Sequence, residues 1–139
     1  DKLLREQVAN DFETQYQRIS GLQRELLSHG GLAYIDDLEA AAIKIRQFVD
    51  RVRTASYGYA GIFDAIKIKE EELAAVYEYD SQLLDMVDEI SRAIDNVEAS
   101  IGTDGLPASI KHLTSNAQSC IDAFNKRSEV LKGLNTVSE

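Results

Sequence analysis

The 139-residue chain has a single proline, Pro107, and a single cysteine, Cys120. So little proline argues against a loop-rich fold, and one thiol excludes an internal disulfide, which leans weakly toward a reducing, cytoplasmic setting. No run approaches the eighteen or so uninterrupted apolar residues of a membrane span, and the N-terminus lacks the basic and then apolar pattern of a signal peptide. Direct membrane insertion by this stretch is therefore not expected. Clustered basic charge is missing too. Net charge is −9, and from 70 to 98 ten acidic residues (Glu70, Glu71, Glu72, Glu78, Asp80, Asp85, Asp88, Glu89, Asp95 and Glu98) face Arg92 alone. The rest of the chain balances, so nucleic acid and anionic lipid are poor partners.

What the sequence does have is helical rhythm, within a composition 44% hydrophobic and 28% charged, too apolar for disorder. Leu73, Val76, Leu83, Val87, Ile90, Ile94, Val97 and Ile101 recur at alternating steps of three and four, which puts them on one narrow stripe of a helix. Such a stripe needs a partner. Leu4, Val8, Phe12, Tyr16, Ile19, Leu22 and Leu26 mark a first helix over about 3–27, ended by Gly30 and Gly31. Ile35, Leu38, Ala42, Ile45, Val49 and Val52, with Phe48 beside them, mark a second over about 32–55, with Asp36, Asp37 and Glu39 near its start. Arg46, Arg51 and Arg53 then stand near its expected end, as the helix dipole favours.

The stretch 56–69, with Gly58, Gly61 and the aromatics Tyr57, Tyr59 and Phe63, reads as the least regular part and as a link. A third helix begins near Lys69 and ends at Ile101, before Gly102 and Gly105. Ile110, Leu113, Ala117, Cys120, Ile121, Phe124, Leu131 and Leu134 carry a fourth from about Pro107, where a first-turn proline is tolerated.

Four helices of similar length with short turns predict one all-α domain over 1–139, an antiparallel up-down-up-down four-helix bundle. Helical pattern under way at the first residue predicts that the domain is part of a longer protein. A rival architecture exists, because Val52, Ser56, Tyr59, Phe63, Ile66, Glu70 and Leu73 stay in step across the link. Residues 32–101 could then form one helix of roughly 105 Å, with the outer helices folded back on its halves in a homodimer. Two glycines in a helix interior, each costing about 1 kcal/mol, favour the bundle.

No catalytic, metal or cofactor constellation accompanies these helices. His29 and His112 lack the Glu-x-x-His pairing of di-iron bundles, and Cys120 has no histidine placed to activate it, so it reads as a small core residue. No glycine pair has the lysine of a phosphate-binding loop. Asp80 stands where the third stripe calls for an apolar residue and is the candidate buried polar site. A straight helix gains about 20° per heptad on a 3.5 repeat, however, and that drift predicts Asp80 in solvent with Tyr77 or Leu84 in its place.

The expected role is a scaffold or adaptor module without enzymatic activity and without a cofactor, one that binds a protein partner. Glu71, Glu78, Asp85 and Asp88 would meet a cationic segment, and Tyr57, Tyr59 and Phe63 would supply apolar contact where they do not instead cap the bundle end as a lid. The alternative is the ligand-binding bundle of an extracytoplasmic sensor or chemoreceptor.

Overall fold

The structure, a computed structural model, describes the backbone of residues 2–30, 32–65 and 70–137, and side chains of 6–30, 32–54, 74 and 77–130. It contains α1 (Lys2–Ser28), a short 3-10 turn (Leu32–Tyr34), α2 (Ile35–Ala65), α3 (Glu70–Ser100) and α4 (Leu106–Val137), with no strand among the described residues. These helices form an antiparallel four-helix bundle.

Each stripe turns inward. Val8, Phe12, Ile19, Leu22 and Leu26 from α1, Leu38, Ile45, Phe48, Val49 and Val52 from α2, Leu83, Ile90, Ile94 and Val97 from α3, and Ile110, Leu113, Cys120 and Phe124 from α4 make one core. Phe48 stands at its centre, edge-on to Phe12 at 4.5 Å and to Phe124 at 5.9 Å between ring centroids. Such geometry sets the positive ring edge of one aromatic against the negative face of the next. Among the stripe residues whose burial is described, Tyr16, Ile35, Val87 and Ile101 are half-buried and pack against this core from its edge.

Two of the reversals are built on glycine. Gly30 has φ 75° and Gly102 φ 82°, a region closed to most side chains by the Cβ and the following carbonyl, so each ends its helix as a left-handed cap. At the second turn, Thr103 Oγ1 accepts from the Gly105 amide at 3.2 Å and donates to the Ser100 carbonyl at 2.7 Å.

The helix directions follow from side-chain pairs between neighbouring helices. Glu13 with Arg46 and Gln23 with Glu39 make α1 and α2 antiparallel, as Asp80 with Arg127 and Ser100 with Ser109 do for α3 and α4. Lys44 reaches Gln118 and Arg51 reaches Asn125, the same offset twice, so α2 and α4 run parallel. The packing pairs are α1 with α2, α3 with α4, α2 with α4 and α1 with α3, which gives the ring order α1, α2, α4, α3. Consecutive helices α2 and α3 therefore occupy opposite corners.

Three expectations need correction. Helix α2 runs through Gly58 and Gly61 to Ala65, so most of the expected irregular link is helix. Glycine weakens a helix interior by about 1 kcal/mol but, unlike proline, keeps its backbone donor, so the hydrogen-bond ladder continues. Arg46, Arg51 and Arg53 consequently lie in mid-helix, where their partners are Glu13 and Asn125 rather than the helix dipole. The 32–101 single helix is also set aside, because α2 and α3 are separate antiparallel helices of one bundle.

Candidate functional site

Asp80 is the position at which the apolar rhythm of α3 admits a carboxylate, and it is 5% exposed. The expected turn outward does not occur: Tyr77 is the exposed residue, at 54%, and Leu84 is half-buried. Asp80 faces inward because α4 supplies a charge to meet it. Arg127 Nε donates to Asp80 Oδ1 at 2.6 Å, and the arginine side chain is fully buried. Its guanidinium also lies 5.8 Å from the centre of the Phe124 ring. Among the described residues the second carboxylate oxygen, Oδ2, has no hydrogen-bond partner.

Arg127 was not singled out from the sequence, although a signal for it exists. The α4 stripe steps from Phe124 to Leu131 and skips the position between, where Arg127 stands. An antiparallel hairpin pairs residues equidistant from its turn, and Asp80 precedes Thr103 by as many residues as Arg127 follows Asp104. Two opposite charges, each at a gap in an apolar stripe and at mirrored distances from one turn, identify a buried pair.

A second polar contact joins α1 to α3. Arg18 donates to Ser91 Oγ at 2.9 Å and to Gln15 Oε1 at 3.1 Å, and it forms an ion pair with Asp95. Arg18 and Arg127 thus each relieve one carboxylate of the acidic helix. Glu78, Asp85, Asp88, Glu89 and Glu98 are exposed and have no ion pair among the described residues. Glu78, Asp85 and Asp88 are spaced at seven and three residues, so they share one outward stripe, with Arg92 a turn further along. The side chains of Tyr57, Tyr59, Phe63 and Glu71 lie outside the described residues.

Cys120 is buried and free. Burial pushes its thiol up to about 12, and the Glu89 carboxylate adds to the shift by disfavouring a second negative charge nearby. A thiol held neutral is a poor nucleophile at ordinary pH. His29 and His112 are exposed, and among the described residues no three His, Cys, Asp or Glu side chains converge as metal ligands. A groove of about 510 Å³ opens between the first turns of α2 and α4, lined by Asp37, Ala40, Pro107, Ile110, Lys111 and Thr114 among others. A smaller groove of about 420 Å³ runs over α3 and α4 past Tyr79, Met86, Asp122 and Lys126. Neither contains a residue of the buried pair. No helix among the described residues is long and apolar enough to cross a membrane.

Comparison with known proteins gives no match, whether to a family model, a curated protein or a solved structure.

Proposed function

We propose that this chain is a non-catalytic interaction module whose outward α3 stripe, Glu78, Asp85 and Asp88, docks a cationic segment of a protein partner. The observation that carries this reading is the imbalance left after folding. The bundle brings Arg18 and Arg127 to α3, yet both are committed to Asp95 and Asp80, and among the described residues the outward carboxylates make no ion pair. Like charges at helical spacing repel by a few tenths of a kcal/mol per pair, a cost that a basic partner would relieve. Tyr77, half exposed beside the stripe, offers the amphipathic ring surface common at protein interfaces.

The test replaces Glu78 with Gln and Asp85 and Asp88 with Asn. Partner capture from native lysate should be lost while the melting temperature is unchanged or raised. Capture of the same proteins by the neutralised variant, or of none by the wild type, would assign the stripe to ordinary solvated surface.

A further inference from the structure

Helices α2 and α4 run parallel, and the seam between them carries a ladder of polar pairs. Lys44 Nζ donates to Gln118 Oε1 and Arg51 donates to Asn125 Oδ1, each bond 2.6 Å long between residues 74 positions apart. Positions seven residues apart return to the same flank of a packed helix, so the next rung toward the tight turns falls on Asp37 and Lys111, at that same separation. These two carry full and opposite charges, yet among the described residues neither forms an ion pair or a side-chain hydrogen bond. They stand instead on the two walls of the groove of about 510 Å³, one on α2 and the other on α4. The sequence accounts for the opening. Ala40 and Thr114 line the groove where the next heptad has the larger Gln47 and Ile121, so less side chain fills the seam at this level. Ala40, Pro107 and Ile110 give the groove an apolar lining between its two charges.

We propose that this groove binds a small zwitterion, an amino acid or short peptide with an apolar side chain. Its ammonium group meets Asp37, its carboxylate meets Lys111, and its apolar body covers Ala40, Pro107 and Ile110. A volume of about 510 Å³ suits a small molecule, and an apolar cleft with a few convergent polar groups is the usual form of such a site. Charge complementarity selects this class of ligand. A purely anionic molecule would be opposed by the Asp37 carboxylate and a purely cationic one by the Lys111 ammonium, and each would leave one wall unmatched. A zwitterion matches both walls and completes the third rung of the ladder through a bound molecule. Because α2 belongs to one hairpin and α4 to the other, the ligand also ties the two hairpins together at the end where the tight turns lie. The site shares no residue with the acidic stripe of α3, so it stands independently of the docking surface proposed there.

The experiment titrates the isotope-labelled protein with leucine, phenylalanine, leucylleucine and aminocaproate at millimolar concentration and follows the backbone amide signals by nuclear magnetic resonance. The four probes vary the apolar body and the spacing of the two charges. Expected is a saturable shift with at least one probe, confined to signals around Asp37, Ala40, Lys111 and Thr114, and a melting temperature that rises with its concentration. Asp37→Asn or Lys111→Gln should each weaken that binding by about tenfold or more, as should a ligand analogue lacking the ammonium or the carboxylate, since each change deletes one charge-assisted contact. Ala40→Leu fills the groove and should abolish binding while the remaining amide signals show the fold intact. If no probe shifts the groove signals, the proposal is overturned and Asp37 and Lys111 are ordinary surface charges. Binding that survives both charge replacements, or that the carboxylic acid and amine analogues match, overturns it as well and assigns the groove to unselective apolar contact.

Discussion

Arg127 donates from Nε to Asp80 Oδ1 at 2.6 Å across the α3–α4 interface, and both side chains are withdrawn from water. Taking two charges out of solvent costs several kcal/mol per ion, which their attraction roughly repays only while both are present. Removing one partner leaves the other buried and uncompensated. Asp80→Ala should therefore destabilise the fold by about 3 to 5 kcal/mol, whereas Asp80→Leu with Arg127→Met should lie near the wild type or be more stable by about 1 to 4 kcal/mol. Chemical denaturation of the three proteins decides it; a double variant less stable than Asp80→Ala would show that the pair is a net source of stability.

Truncation along α3 should follow burial. Ile90 and Ile94 are fully buried while Val87 is half-buried. Ile90→Ala or Ile94→Ala should cost about 2 to 5 kcal/mol, through lost burial and the cavity left behind, and Val87→Ala clearly less. Equal costs at the three sites by urea unfolding would contradict the orientation of this helix.

The Cys120 thiol gives a pH signature. Its folded pKa of about 12 lies above the usual value of 9, so below pH 9 both states hold the proton and stability is unaffected. Between about pH 9 and 12 the unfolded chain loses its proton first and stability falls, by up to about 1.4 kcal/mol per pH unit. Subtracting the profile of Cys120→Ala isolates this slope from lysine and tyrosine titration. The folded protein should also react slowly with a thiol reagent and fast once unfolded, and immediate full labelling of the native state would place the thiol at the surface.

The outward carboxylates predict a response to salt. Screening should weaken repulsion among Glu78, Asp85, Asp88, Glu89 and Glu98, so the melting temperature of the free domain should rise modestly with sodium chloride. In the variant neutralised at Glu78, Asp85 and Asp88 that rise should shrink. A salt response identical in the two proteins would locate the repulsion elsewhere.

Much of this architecture is legible in the sequence because each helix buries one side, so burial and apolar rhythm coincide from Phe12 to Phe124. Asp80 shows where the reading of one helix at a time fails. The 20° drift holds for a straight, isolated helix, but packing against α4 kept the 3.5 repeat and carried Asp80 inward to a charge on another segment. The end of α2 lies beyond two glycines because an unbroken three-four rhythm outweighs the roughly 1 kcal/mol that each costs a helix interior. The ring order was not legible at all. Tight turns specify that neighbours in the chain run antiparallel, but only packing between α2 and α4, such as Phe48 on Phe124, reveals which corners they occupy. The acidic helix was visible from composition, whereas its division into relieved and unrelieved carboxylates depends on where Arg18 and Arg127 arrive.

The diagonal placement of α2 and α3 also sets an order of assembly. Every close helix pair is either local to one hairpin, closed by a glycine turn, or joins two hairpins across a long stretch of chain, as Arg18 with Ser91 and Lys44 with Gln118 do. Closing a short loop costs less entropy than closing a long one, and local contacts form faster. The expected kinetic sequence is two hairpins zipping independently from Gly30 and Gly102, followed by a single collision that creates the Phe48 and Phe124 contact. Core substitutions confined to the α2–α4 seam should then mainly accelerate unfolding, whereas those within either hairpin should also slow folding.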